Sequence, residues 1–149
     1  IKIFKNEISK FSELKLDKFR GENIGIVFQK PHFVNSLTIG ENLELAQFLG
    51  QNKKGNIQVI LDSLKILDKI NKKPKELSQG EKQRASIAIA IINSPKLILA
   101  DEPTSSLDDG NCKNVINILK EQALKYNAQL VVITHDNRLK KYFKKSIAL

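Results

Sequence analysis

Three short, continuous apolar runs occur along the chain, separated by stretches in which apolar residues recur every three or four positions. The runs are Ile24–Phe28, Leu97–Ala100 and Leu130–Thr134. Continuous apolar runs of this length predict strands that are buried on both faces of a parallel sheet. Because these strands alternate with helical patterns, the sequence predicts an α/β fold.

Two of the helical stretches begin with the spacing of a capping box. Thr38 precedes Glu41 in a helix predicted over Leu37–Leu49, and Ser78 precedes Glu81 in a later helix. In such a pair each side chain satisfies a backbone N–H group that the helix itself leaves unpaired. The sequence therefore marks both helix starts.

The remaining segments are less regular. Apolar spacing predicts further helices over Ile57–Leu67, Asp109–Tyr126 and Asp136–Phe143. Residues 1–28 are expected to form short strands broken by a polar, lysine-rich stretch, and Ser146–Leu149 to form a last strand.

The helical patterns between residues 36 and 95 have no convincing strand among them. We therefore expect an α/β core formed by residues 1–35 and 96–149, with residues 36–95 as an α-helical subdomain.

Composition narrows the classes of protein to consider. The 149 residues contain no apolar run near the ~20 residues needed to span a bilayer, and we expect no secretory leader. The single cysteine, Cys112, excludes an internal disulfide framework. The net charge is +9, but the lysines are spread along the whole chain, so we expect a solvated surface and no nucleic-acid partner.

Each of the three apolar runs is followed at once by a polar residue that could take part in chemistry. Gln29 follows the first, Asp101 and Glu102 the second, and His135 the third. Ligands of open parallel sheets bind just beyond the carboxyl ends of the strands, so we expect these side chains to converge on one crevice. Adjacent carboxylates point to opposite faces of a strand, so one could hold a metal ion and the other a water.

Five motifs in this chain, taken in order, resemble those of the ATP-binding cassette (ABC) ATPases. They are the Q-loop at Gln29, the signature at Leu77–Glu81, the Walker B strand at Leu97–Thr104, the D-loop at Ser105–Asp108, and the switch histidine at His135. Two positions depart from the usual pattern of that family: Gln79, where Gly is more common, and Ile89, where many relatives have Arg.

The resemblance implies a partial P-loop NTPase parallel sheet with an α-helical subdomain, and ATP and Mg²⁺ as cofactors. It implies that Glu102 activates the attacking water, that His135 contacts the γ-phosphate, and that Asp101 and Gln29 hold Mg²⁺, with Gln29 also reaching the water.

The resemblance also implies partners. The signature residues would contact the nucleotide of a second protomer in a homodimer, and Asp108 would belong to the dimer-facing D-loop. These signature residues are Ser78, Gln79, Gly80 and Glu81. Transmembrane permease subunits would hold the protein on the cytoplasmic face of the cell membrane, where it would power transport.

The glycine spacing of a P-loop occurs once, without the rest of the motif. A P-loop has the pattern G-x-x-x-x-G-K-[ST], whereas Gly50 and Gly55 are followed by Asn56 and Ile57, which indicates a loop between helices. The chain begins at Ile1 and contains no Met. We therefore expect residues 1–149 to be a truncated ABC ATPase domain that is inactive alone.

Two other classes of protein are kept as alternatives. One is a non-catalytic α/β module. The other is a chromosome-maintenance or DNA-repair ATPase, but those proteins insert long coiled coils between motifs that here lie close together at Gln29 and Ser78. Within the transporters, Ile24–Leu43 most resembles the lipoprotein-releasing and macrolide-exporting branch.

Overall fold

The secondary structure consists of short strands and longer helices in alternation. The computed structural model describes residues 2–51, 55–105 and 107–147. In chain order its strands and α-helices are β1 (Lys2–Ile3), β2 (Asn6–Glu7), α1 (Glu13–Asn23), β3 (Ile24–Val27), α2 (Ile39–Leu49), α3 (Ile57–Ser63), α4 (Gln79–Ile91), β4 (Leu97–Asp101), α5 (Asp109–Lys125) and β5 (Gln129–Ile133). Short 3₁₀ helices cover Ile8–Lys10, Leu67–Lys69, Pro74–Glu76 and Asn137–Tyr142.

The predicted parallel sheet is confirmed. Its strands lie side by side in the order β3-β4-β5, and both pairs are parallel. Ala100 of β4 lies in register between Val27 of β3 and Val132 of β5. The three strands therefore end at the same edge of the sheet, which brings Gln29, Glu102 and His135 to that edge.

Both predicted capping boxes are present. The Thr38 hydroxyl accepts from the Glu41 amide at 3.2 Å, and the Glu41 carboxylate accepts from the Thr38 amide at 2.7 Å. Ser78 and Glu81 make the same reciprocal pair at 3.3 and 2.7 Å. These caps set the starts of α2 and α4.

The core lies between the sheet and two of the helices. Helix α4 packs against β3 and α5, and α5 packs against β5. On the covered face of the sheet, Val27, Ile98 and Ala100 are fully buried. Burial of large apolar side chains such as these is the main contribution to the stability of the fold.

Gly25 of β3 lies so close to α4 that no side chain fits between them. A Cβ atom added there would lie 2.0 Å from the carbonyl oxygen of Ala90. We expect Gly25→Ala to push β3 and α4 apart and to lower the free energy of unfolding by about 3 kcal/mol or more. Urea denaturation measures this change.

Gly110 offers a matched control for that substitution. The nearest atom to a Cβ added there is Asp108 Oδ1 at 3.4 Å, an ordinary contact distance. Gly110→Ala should change the free energy of unfolding by less than about 1 kcal/mol. Equal stability of the two variants would contradict the close packing at Gly25.

The prediction of short strands for residues 1–28 is wrong over part of that segment. Residues 1–28 were expected to form broken strands, but Glu13–Asn23 is a helix. None of its residues is buried, so it has no apolar stripe by which periodicity could reveal it. Local contacts such as the Lys18–Glu22 ion pair, four residues apart, are of the kind that stabilise an exposed helix.

Two other predicted elements differ from the structure. The helix expected over Ile57–Leu67 ends at Ser63, because Lys65 adopts a positive φ of 57° that a helix does not accommodate. Of the strand expected over Ser146–Leu149, residues 146 and 147 are not in a strand, and residues 148 and 149 lie outside the described residues. The expected loop Gly50–Gly55 begins at the C-cap of α2, and residues 52–54 likewise lie outside the described part.

The second face of the sheet is more open than predicted. Ile26, Val131 and Ile133 are 42%, 44% and 53% exposed, because the described helices α4 and α5 lie on the opposite face. The expectation of burial on both faces is therefore wrong for these side chains.

The division into core and subdomain stays a prediction. The described part of residues 36–95 contains α2, α3 and α4 and no strand, but α4 also packs against β3 of the core. Across the described ranges, none of the helices is long and apolar enough to cross a bilayer.

Candidate functional site

Glu102 occupies the turn that directly follows β4, in an unusual backbone conformation. Its φ is +44°, in the left-handed region that non-glycine residues rarely adopt and that is found often at functional sites. The Glu102 amide donates to the carbonyl of Ile133 at 2.9 Å. This bond ties the turn to the end of β5, next to His135.

The Glu102 carboxylate is held by the loop that follows β5. It accepts from the His135 amide at 2.8 Å, lies 2.5 Å from His135 Nδ1, and accepts from the Thr134 hydroxyl at 2.9 Å. Burial raises the pKa of Glu102, but these hydrogen bonds outweigh it and hold the pKa below the ordinary value of 4.5. Glu102 is therefore ionised at neutral pH.

The paired histidine is open to solvent on its other side. The His135 side chain is 84% exposed, whereas that of Glu102 is 16% exposed. Because a carboxylate accepts the hydrogen bond at Nδ1, that nitrogen carries a proton, and the opposite ring nitrogen, Nε2, is available to a ligand. The pair thus consists of a carboxylate held in place by hydrogen bonds and an imidazole that is open to solvent.

Gln29 reaches the same turn from β3. Its Nε2 donates to the Ser105 hydroxyl at 2.9 Å, and the Ser105 amide donates to the Glu102 carbonyl at 3.3 Å. Because the nitrogen of the Gln29 amide is bound, its oxygen can act as a ligand or acceptor.

Asp101 is the last residue of β4, and its side chain is exposed. Together with the amide oxygen of Gln29 it supplies oxygen donors, which is the donor set that Mg²⁺ prefers; Mg²⁺ also keeps several waters and phosphate oxygens. In residues 2–51, 55–105 and 107–147 no three His, Cys, Asp or Glu side chains group into a metal site. The chemistry of the residues fits a magnesium ion that arrives with a phosphate ligand.

The signature residues lie at the start of α4. Ser78 and Gln79 are exposed, and Lys69 Nζ lies 3.4 Å from the Glu81 carboxylate. The hydrogen bond from the Ser78 amide holds the pKa of Glu81 below its ordinary value. Within the described part of the chain, no hydrogen bond or ion pair joins Ser78–Glu81 to Glu102 or His135.

A side chain would fit at Gly80. A Cβ atom added there would have Arg84 Nη1 as its nearest neighbour, at 3.6 Å. The start of a helix leaves backbone N–H groups without a partner inside the helix, and such groups attract anions. In this 13-residue helix the capping box engages the Glu81 amide and the amide of the N-cap Ser78.

Asp108 caps a different helix. Its carboxylate accepts from the Asn111 amide at 2.9 Å and from the Asn111 side chain at 2.7 Å. The Asn111 amide holds the pKa of Asp108 below its ordinary value. Asp108 thus fixes the start of α5, immediately after the segment that resembles a D-loop.

Sequence reasoning missed several residues that support this site. Thr134 contacts Glu102 directly, and the buried Gln83 of α4 donates to the Pro103 carbonyl at 3.3 Å. A polar residue within the apolar stripe of a helix was a signal for Gln83. Arg138, which contacts the Asp109 side chain, carried no signal in the sequence, because two of its partners, Leu107 and Asp109, lie about thirty positions away.

The ABC transporter family matches residues 1–105, more than half of the chain. The chain belongs to this family, and the resemblance to the ABC ATPases is confirmed. Among its relatives is the lipoprotein-releasing system ATP-binding protein LolD of Buchnera aphidicola, 38% identical over 88% of this chain and 59% of that protein. The macrolide export ATP-binding/permease protein MacB of Psychrobacter cryohalolentis is 35% identical over 92% of this chain and 21% of that protein.

Solved structures support the same family and fold. The ATP-binding cassette MJ0796, in a dimeric post-hydrolysis state bound to ADP and Pi, has a TM-score of 0.76 and 31% identity, over 94% of this chain and 64% of that one. The cbiO1 structure from Clostridium perfringens has a TM-score of 0.75 and 26% identity. The chain spans about three fifths of the length of the LolD relatives.

Proposed function

We propose that this chain supplies the catalytic carboxylate, the switch histidine and the signature of an ATP-hydrolysing subunit that powers transport across a membrane. The observation that carries the proposal is the contact between Glu102 and His135 at the carboxyl ends of two adjacent parallel strands. Membership of the ABC transporter family and relatives named ATP-binding proteins support it.

Each side chain has a role that its surroundings allow. Glu102, ionised and held in place, would orient a water and accept its proton as the water attacks the γ-phosphate. His135 would contact the γ-phosphate as an imidazolium, with Nδ1 donating to Glu102 and the exposed Nε2 donating to a phosphate oxygen. Asp101 and Gln29 would hold Mg²⁺, which neutralises phosphate charge when bound. Hydrolysis then depends on positioning and charge rather than on a covalent intermediate.

The partners are part of the proposal. At the start of α4, Ser78 and Gln79 are exposed, and among the described residues no hydrogen bond or ion pair joins it to Glu102. It therefore suits a nucleotide held by a second protomer, and the related cassette MJ0796 is described as dimeric. The macrolide export relative is named an ATP-binding/permease protein, so we propose a permease partner at the cytoplasmic face of the membrane.

The direct test is phosphate release from Mg·ATP by the complete gene product that contains these 149 residues. We expect hydrolysis that requires Mg²⁺. A folded gene product that neither binds nor hydrolyses ATP would overturn the proposal and favour the alternative of a non-catalytic α/β module.

The role of Ser78 can be tested on the same protein. Ser78→Arg places bulk where a phosphate of the second protomer would lie, and we expect it to reduce hydrolysis at least ~100-fold. The control is Ser78→Ala, which removes the cap at a cost of about 1 kcal/mol but adds no bulk. Hydrolysis by Ser78→Arg at the wild-type rate would show that the signature residues do not contact the nucleotide.

A further inference from the structure

Arg138 joins two loops that are distant in the sequence. Its Nε and Nη2 donate to the Asp136 carboxylate at 2.7–3.0 Å, beside His135. Its Nη1 donates to Asp109 Oδ1 at 2.6 Å, and Nη1 and Nη2 donate to the Leu107 carbonyl at 3.2 and 3.3 Å. The guanidinium therefore binds the His135 loop and the start of α5 at the same time.

The three charged side chains of this arrangement differ in exposure. The Arg138 side chain is 38% exposed and that of Asp109 is 87% exposed, whereas the Asp136 side chain is 12% exposed. Thr104 Oγ1 lies 3.5 Å from the Asp136 carboxylate, at the limit of a hydrogen bond. The bonds to Asp136, and then those to Asp109, raise the pKa of Arg138 above its ordinary value.

Asp136 connects this arrangement to the catalytic carboxylate. The Asp136 amide donates to Thr134 Oγ1 at 2.9 Å, and Thr134 Oγ1 donates to Glu102 at 2.9 Å. A continuous series of hydrogen bonds thus runs from the Leu107 carbonyl through Arg138, Asp136 and Thr134 to Glu102.

We propose that Arg138 is a positioning residue that fastens the segment carrying Asp108 to the loop carrying His135, so that the two loops move as one unit. The proposal rests on the function proposed above. The planar fork of an arginine can bind a carboxylate with two nitrogens and still reach a carbonyl, whereas a lysine has a single nitrogen at its tip. The sequence position alone does not reveal this role, because the partners are brought together by the fold.

Hydrogen exchange of the 149-residue chain tests the fastening itself. In Arg138→Lys, which keeps the charge and loses the fork, the amides of residues 107–111 and of His135 should exchange at least ~10-fold faster, while those of β4 do not change. Asp109→Asn should accelerate exchange of the amides of residues 107–111 and leave exchange of the His135 amide unchanged. Lys140→Ala, on the same 3₁₀ helix, is the control. Unchanged exchange in Arg138→Lys would overturn the proposal.

Kinetics of the complete gene product separate positioning from mere stability. We expect Arg138→Lys to lower kcat for ATP ~10-fold or more while KM changes less than ~2-fold, well below its unfolding temperature. If the wild type hydrolyses ATP and Arg138→Lys has the wild-type kcat, Arg138 does not position the site. The inference about Arg138 then fails, while the proposed function stands. If the wild type does not hydrolyse ATP, the proposed function fails, and hydrogen exchange still decides whether Arg138 fastens the loops.

Discussion

Glu102→Gln in the complete gene product should bind Mg·ATP and almost cease to hydrolyse it. The amide cannot accept a proton from the attacking water, and loss of a positioned general base costs about 10²–10⁴ in rate. The amide oxygen can still accept from the His135 amide, so the loop following β5 keeps its place. Phosphate release under single-turnover conditions, together with a separate binding assay, measures both parts of this expectation.

The control for this substitution is Glu121→Gln, at an exposed position of α5. It removes the same charge far from the strand ends and should leave the rate within about twofold of the wild type. Near-wild-type turnover by Glu102→Gln would show that another group activates the water and would remove Glu102 from the reaction.

The 149-residue chain should bind Mg·ATP at least ~100-fold more weakly than its lipoprotein-releasing relative from Buchnera. The sequence contains no G-x-x-x-x-G-K-[ST] motif, so the backbone cradle and lysine of a P-loop are not supplied by this chain. Charge-assisted hydrogen bonds of that kind contribute about 1.5–3 kcal/mol each, and losing two of them exceeds a hundredfold in affinity.

Isothermal titration calorimetry on the two proteins in one buffer measures the difference in affinity. Titration with ADP as well as ATP shows whether the chain has any preference for the γ-phosphate. Equal affinities for Mg·ATP would show that residues other than a P-loop bind the phosphates and would contradict this prediction.

Much of the sheet and of the candidate site follows from the sequence, for definite physical reasons. The apolar runs identify β3, β4 and β5 because continuous apolar residues are typical of the strands of parallel sheets. The capping pairs mark α2 and α4 because each helix start leaves N–H groups that a nearby side chain must satisfy. Polar residues at the ends of parallel strands necessarily meet at one edge, so Gln29, Glu102 and His135 could be grouped in advance.

Exposed elements were harder to predict. Helix α1 buries none of its residues, so no pattern of apolar positions distinguishes it from a polar loop. The partial exposure of Ile26, Val131 and Ile133 depends on which elements cover the sheet, and apolar composition does not contain that information.

By itself the sequence determined which side chains end the strands, which residues cap the helices, and which family the motifs resemble. Only the tertiary structure decided how those side chains are held: the left-handed turn at Glu102, the bond from Gln29 to Ser105, and the bridge made by Arg138. Patterns along a chain report local periodicity and local capping, whereas these contacts join residues about thirty or more positions apart. Such contacts exist only once packing has brought their loops together, and so the fold alone determines them.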